Sequence, residues 1–435
     1  MRAVFAFTAV CLCIQPVAAA DWHMQLSGYG VAPGQAADPQ QPELKAPLQQ
    51  QILLDEQGRY RLERRSSFPG DITFHFLEIG GPQGKQTVDL AGWRTGTETT
   101  IEGPDSARLS YADLLLLSPA LLLRQARELS AVDAKGGQTL QDPAGRSVRL
   151  QLDANHDVTE AEVDGQRYLY SHWSAKNGLR QPGTVKIKRG ERLLREFSAV
   201  SLEPGQIKPA DLQLPAGYAN ALTRAGLRVV QVEGDLYRLE GSASTYHMAF
   251  AVGSNGIVLF DTPRSKEEGE AMRAQISAAF PGKKVTDIVY SHGHTDHQAG
   301  LAAWLDLKPQ IWTGAGGRAA LLRHVPGAEK LQVQEVTTEQ NRILAGLALR
   351  LLPVQSSHAH DMLVTLFPAA GAVLQGDLFM VPNQGPAAAY PPAAQLQQVL
   401  RDASFQARHI ISVHGRVATA EELAQSVRLS QLQPK

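Results

Sequence analysis

The first clear pattern along the chain begins at Gln51. Ile52-Leu53-Leu54-Asp55-Glu56 runs through Gln57-Gly58 into Arg59-Tyr60-Arg61-Leu62-Glu63, two segments of β character about a glycine turn, which predicts a hairpin. Further strands are expected at 72–79, 86–90, 147–152, 159–163 and 184–188. Residues 111–129 are dense in leucine and predict a helix, interrupted at Ser118-Pro119. Residues 51–202 thus read as a β-rich amino-terminal accessory domain. Residues 21–50, rich in Pro, Gln, Ala and Gly with little periodicity, are expected to form an extended leader. Pro204, Pro209 and Pro215 fall in a polar stretch and predict a linker over 203–226.

Beyond the linker the texture changes. Strands are expected at 227–232, 236–239, 248–252, 257–260, 285–290, 310–312, 349–353, 362–367, 372–375 and 409–413. Helices are expected at 265–280, 299–305, 318–324 and 393–403. Strands and helices alternate in two successive batches, which predicts an α/β (α+β) architecture over 227–435, two sheets face to face and covered by helices. A chain of 435 residues is also long enough for two domains.

Composition narrows the setting. Arg2, an apolar run over 3–14 and the small residues Ala18-Ala19-Ala20 have the three parts of a signal peptide over 1–20, with a mature start near Asp21. Both cysteines, Cys11 and Cys13, lie inside it, so neither a disulfide nor a thiolate ligand is expected beyond it. The expectation is an exported protein, periplasmic or secreted, with no integral membrane segment once the signal is removed. The formal net charge is −1 and no basic stripe occurs, which argues against a nucleic-acid partner. Two motifs fail on inspection. Asp153-Ala154-Asn155-His156-Asp157 lacks the glycine and the closing glutamate of a calcium loop. Gly80-Gly81-Pro82-Gln83-Gly84-Lys85 lacks the spacing and hydroxyl of a phosphate loop.

The chemistry lies in His292-Gly293-His294-Thr295-Asp296-His297. It follows the apolar strand expected at 285–290, so these side chains occupy a loop at a strand's carboxyl end, where sites in α/β proteins are usually built. His292 and His294, two apart, can project to one side. Imidazole and carboxylate ligands suit zinc, and also iron or manganese.

This run resembles the signature of the metallo-β-lactamase superfamily, with a glyoxalase-like His/Asp ligand set, over roughly 226–435. Three further elements of the family pattern follow in order: Ser357-His358-Ala359-His360-Asp361 before an apolar strand, Gln375-Gly376-Asp377 after one, and Val413-His414-Gly415 closing another. The resemblance implies an αββα sandwich in which His292, His294 and His358 hold one metal. It implies that Asp296, His297 and His414 hold a second, with Asp377 between the two. His360 competes with His358 for the third position, and the separation from Asp377 favours His358. Asp261 resembles the aspartate that supports the ligand loop by hydrogen bonds.

The implied cofactor is a pair of zinc ions, and the implied reaction is attack of a metal-activated water on an ester, thioester, lactone or amide-type small-molecule substrate, with Asp296 as the catalytic carboxylate. Two other readings stand beside it: a mononuclear-iron oxidoreductase like the persulfide dioxygenases, and a ligand-binding envelope protein with a vestigial metal site. Tyr390 is a candidate pocket residue, as is His247, whereas His324, His409 and Thr295 read as structural. Thr313-Gly314-Ala315-Gly316-Gly317 reads as a strand-to-helix turn. The sheet-plus-helix pattern of the amino-terminal half resembles the half-barrel lipoprotein carriers of the bacterial envelope, which implies an envelope partner for that domain.

Overall fold

The computed structural model describes residues 21–91, 98–133, 135–176, 178–218, 220–221, 226–242, 246–382 and 385–432. The expected signal peptide, residues 1–20, lies outside the described residues. The amino-terminal domain is one sheet made of two meanders. Strands β1 (Asp21–Pro33), β2 (Glu43–Leu54), β3 (Tyr60–Phe68), β4 (Ile72–Gly81), β5 (Gly84–Asp89) and β6 (Glu98–Glu102) form the first. Strands β7 (Gly137–Gln141), β8 (Ser147–Leu152), β9 (Val158–Val163), β10 (Gln166–Lys176), β11 (Leu179–Arg189) and β12 (Arg192–Gly205) form the second. The meanders join where β1 pairs antiparallel with β12. Helices α1 (Pro104–Leu115) and α2 (Pro119–Gln125) connect them. Ser118-Pro119 breaks the helix where expected, because proline cannot continue the hydrogen-bond ladder. Both helices bury leucines, among them Leu115, Leu121 and Leu122, against Met24, Ile52 and Val185 of the strands.

Two expectations are corrected here. Residues 21–50 are not a leader, because β1 and β2 are central strands paired over most of their length. Trp22, Met24 and Leu26 alternate with His23, Gln25 and Ser27 and are fully buried, a period-2 pattern hidden by the Gly-Tyr-Gly that follows. Nor is 203–226 a free linker. β12 runs to Gly205, and β13 (Asn220–Ala221) returns to pair in parallel with Glu98 and Thr99 at the sheet's edge.

The carboxy-terminal half has four layers, as the α+β reading requires. One sheet holds β14 (Arg228–Glu233), β15 (Leu236–Glu240), β16 (Met248–Val252), β17 (Ile257–Phe260), β18 (Val285–Val289), β19 (Gln310–Gly314) and β20 (Val333–Val336). The other holds β21 (Gln340–Leu344), β22 (Leu347–Val354), β23 (Met362–Phe367), β24 (Ala372–Leu374) and β25 (His409–Ile411). Alternation along the strands builds the layers. In β16, Ala249 and Ala251 face the opposing sheet, while Met248 and Phe250 face Met272 and Ile276 of α3 (Lys266–Ala279). In β23, Leu363 and Phe367 join the inter-sheet core. On its other face Met362, Val364 and Leu366 pack with Leu396 of α6 (Pro391–Asp402) and Leu423 of α7 (Ala420–Leu432). The first layer's remaining helices are the single turn α4 (Thr295–Gln298) and α5 (Gly317–His324). No helix among the described residues is long and apolar enough to cross a membrane.

Candidate metal centre

The chemistry-bearing side chains gather at one rim of this sandwich because strand ends deliver them there. β17 ends into Asp261, β18 into Ser291-His292, β24 into Asp377 and β25 into His414, while His358 precedes β23. Two groups result, each capable of holding a metal ion: His292, His294 and His358, and Asp296, His297, Asp377 and His414. Within each group the ligand atoms lie within 4.8 Å of one another. Asp377 stands between the groups, with Oδ2 3.3 Å from His297 Nε2 and 3.7 Å from His358 Nε2. Asp296 Oδ2 lies 3.8 Å from His297 Nε2 and 3.7 Å from His414 Nε2.

The outer nitrogens of four rings are engaged, which fixes what the inner ones can do. His358 Nδ1 donates to the carbonyl of Pro69 at 3.0 Å, and His294 Nε2 donates to the carbonyl of Ala36 at 3.2 Å. A carbonyl only accepts, so those nitrogens carry the protons and His358 Nε2 and His294 Nδ1 are left as lone pairs. Asp261 sets the other two. Its Oδ1 accepts the Ser291 backbone N–H at 2.7 Å. Its Oδ2 accepts the Ser291 hydroxyl at 2.7 Å and His297 Nδ1–H at 3.1 Å. The Ser291 oxygen, having donated, accepts from His292 Nδ1 at 2.9 Å. His292 therefore also turns an Nε2 lone pair inward, and His297 points Nε2 at Asp377, where it gives up a proton if it is to bind a metal.

That donor set fits divalent metal. The Nε2 atoms of His292 and His358 are 3.2 Å apart. Two lone pairs at that separation repel unless a cation lies between them. Tetrahedral zinc with zinc–nitrogen bonds of about 2.0–2.1 Å sets its nitrogens about 3.3 Å apart. Asp377 Oδ1 is buried with no hydrogen-bond donor among the described residues, a position a carboxylate oxygen tolerates beside a cation. Electrostatics agree. Burial, then the neighbouring His297, His294 and His358, drives His292 well below the usual histidine range. Burial and His358 bring His294 down to about 3. Both rings are neutral donors near pH 7. Burial opposes charge on Asp296 as well, but His297 and His414 outweigh it and hold the carboxyl well below its ordinary value.

The remaining candidates divide. His360 is exposed and its backbone N–H bonds the Ala37 carbonyl, so His358 is the histidine of this segment that joins the cluster. Thr295 is a docking point: its N–H reaches the Gly34 carbonyl and its hydroxyl the Pro33 carbonyl, both at 3.1 Å. Tyr390 donates to the Thr73 carbonyl at 2.9 Å and lines a cleft beside Asp377. His247 lies beneath the centre, its ring pushed down to about 2 by burial and the nearby Arg238. His324 ends α5, and His409 lies 3.5 Å from Glu233. The N–H groups of Gly316 and Arg318 are taken by Glu335, so that turn holds no anion. Sequence reasoning missed Ser291 and also Gln35, whose amide donates to Asp296 Oδ1 at 2.7 Å. Ser291 directly precedes the histidine run, the signal that could have found it.

Residues 244–408 match the family model described as the metallo-beta-lactamase superfamily, and the carboxy-terminal half is a metallo-β-lactamase domain. The chain is similar to a metallo-beta-lactamase from Pontibacter korlensis, at 18% identity over 48% of this chain and 100% of that one, with a TM-score of 0.38. It is similar to the inverting sec-alkylsulfatase Pisa1 from Pseudomonas sp., at 15% identity over 46% of this chain and 41% of that one, with a TM-score of 0.36. Rubredoxin oxygen:oxidoreductase from Desulfovibrio gigas is similar at 17% identity over 48% of this chain and 63% of that one, with a TM-score of 0.40. The chain thus spans less than half the length of the alkylsulfatase. Among curated proteins, none matches this sequence.

Proposed function

We propose that the chain is an exported dinuclear-zinc hydrolase acting on a small substrate with an ester, thioester, lactone or amide-type carbonyl. The observation that carries this reading is Asp377, placed between a three-histidine group and an Asp/His group with one oxygen within 3.7 Å of both. An idle second group, as a mononuclear-iron oxidoreductase would need, is a poor match for ligands so closely gathered. His292, His294 and His358 would hold one ion, Asp296, His297 and His414 the other, with Asp377 shared. Divalent metals in such a pair lower the pKa of water towards neutrality and polarise the substrate oxygen.

The protein's own groups do the rest. Asp296 is 25% exposed where the other ligand side chains of its group are 10% or less, so it is the carboxylate an entering water meets. It orients that water and accepts its proton. Beside Asp377 lies a cleft walled by Ala91, Leu378, Phe379, Met380 and Tyr390, whose side chains offer contacts to an acyl or hydrocarbon group. The signal-like residues 1–20 support export. The test is metal content together with a panel of β-lactams, lactones, thioesters and phosphodiesters. Two zinc ions per chain, with turnover of a carbonyl substrate that His294→Ala abolishes, is the expected result. One iron per chain, with no hydrolysis of any panel member, would overturn it.

A further inference from the structure

We propose that the amino-terminal sheet domain is part of the metal centre, because it orients three of the seven ligand side chains. The inference rests on reading those side chains as metal ligands. Its basis is the tips of two neighbouring hairpins. The β1–β2 tip, residues 34–42, is closed by Gly34 N–H donating to the Pro42 carbonyl at 2.8 Å. It lies across α4 and α5. Thr295 grips Pro33 and Gly34, the His360 N–H reaches Ala37 at 2.8 Å, and Arg323 holds the carbonyls of Pro39 and Gln40 at 3.0 and 3.2 Å. The β3–β4 tip, Pro69-Gly70-Asp71, sits against His358 and Pro392.

From these tips three groups reach the ligands, each to a different one. The Ala36 carbonyl accepts from His294, the Pro69 carbonyl accepts from His358, and the Gln35 amide donates to Asp296 Oδ1 at 2.7 Å. The carbonyls hold two rings in the tautomer that points a lone pair inward. Gln35 engages one oxygen of Asp296 and so leaves Oδ2 facing His297 and His414. Within the metallo-β-lactamase domain, Asp261 and Ser291 do the same for His297 and His292. Three of these five outer-shell residues therefore come from the other domain. Gln35, Ala36 and Pro69 are positioning residues, and their loss is expected to weaken metal retention by the 10–100-fold range of such contacts.

The predicted effects are site-selective, which a general structural role would not produce. In the full chain, Gln35→Ala removes the amide's bonds to Asp296 Oδ1 and to the Thr295 hydroxyl, which keeps its own bond to the Pro33 carbonyl. It is expected to lower zinc affinity at the Asp296 site about tenfold, with the His294 site unchanged. Gly70→Ala strains a backbone at φ +81 and brings a Cβ within 2.7 Å of Pro392 and 3.3 Å of His358. It is expected to weaken the His358 site instead. Both are read by chelator competition with zinc and by the visible spectrum of the cobalt-substituted protein, with cooperative unfolding of the metal-free variants as the folding control. Gln35→Ala alone suffices if Gly70→Ala does not fold. Wild-type affinities and spectra at both sites in a folded Gln35→Ala would overturn the inference while leaving the hydrolase reading intact. A wild-type chain that binds no pair of metals would instead overturn that reading and this inference with it.

Discussion

Replacing Asp261 with asparagine isolates one carboxylate that controls two ligands it never touches the metal beside. Asp261 sits at φ +60, a left-handed conformation that asparagine tolerates, so the exchange is conservative for the backbone. Of its three accepted bonds, the Ser291 N–H can still be taken by the amide oxygen. The amide nitrogen then replaces the oxygen that accepts from the Ser291 hydroxyl and from His297 Nδ1. A donor now faces a donor. His297 is expected to shift its proton to Nε2, the atom 3.3 Å from Asp377, and so to lose the inward lone pair. The serine bond can reverse, which weakens the hold on His292 as well. The cost at the Asp296–His297 site is expected to be about 10–100-fold in zinc affinity, about 1.4–2.8 kcal/mol. At the all-histidine site it is expected to be smaller. The metal-free protein is also expected to lose a charge-assisted hydrogen bond of about 1.5–3 kcal/mol, partly offset by no longer burying a charge. Chelator competition and thermal unfolding without metal measure the two effects. Wild-type zinc affinity at both sites in a folded Asp261→Asn protein would refute the tautomer argument.

Three further outcomes are expected. His358→Ala should abolish binding at the all-histidine site whereas His360→Ala should leave metal stoichiometry unchanged, as counted by elemental analysis. The metal-free protein should unfold more easily as pH falls from about 7 to about 4. His292, His294 and His358 have lowered folded values, so the unfolded chain takes up protons first, below about 6.5. His297, raised by Asp377, Asp296 and Asp261 against the pull of burial, contributes with the opposite sign, but it is one ring against three. A melting temperature flat over that range would count against this account. Burial pushes the Asp361 carboxyl up to about 7, so its folded form keeps a proton that the unfolded chain has lost since about 3.9. That contribution is fully present below the unfolded value and fades as pH rises through 7. Between those values this contribution opposes the histidines, so Asp361→Asn should steepen the fall in melting temperature from about pH 7 to about pH 4, and an unchanged slope would contradict it.

The sandwich was largely legible because its strands are buried on both faces or alternate cleanly. Residues 285–289 and 362–367 read as apolar runs ending at loops, and the loops carry the histidines and aspartates. The amino-terminal sheet was legible only in part. β1 and β2 place glutamines and lysines on their exposed face, so their alternation looks like polar coil until Trp22, Met24 and Leu26 are seen packing against the helices. α7 was missed altogether, since Glu421 and Glu422 open it and only Leu423, Ser426 and Val427 are buried.

The ligands announce themselves through residue type, whereas two of the groups that orient them cannot. Asp261 and Ser291 carry side chains whose chemistry could be sought at strand ends. The Ala36 and Pro69 groups are backbone carbonyls, which every residue possesses, and nothing in alanine or proline at those positions distinguishes them from a surface loop. What selects them is the register of two hairpins. β1 pairs with β2 from Trp22–Leu54 to Pro33–Glu43, and β3 with β4 from Tyr60–Gly80 to Phe68–Ile72. Pairing to those last residues fixes where each tip ends, and a slip of one residue would turn every side chain to the other face and withdraw the carbonyls from the rings. The core of the amino-terminal domain thus sets the reach of the tips. Its stability and the metal affinity of the other domain should be linked, since only a folded sheet presents Ala36 and Pro69 to His294 and His358.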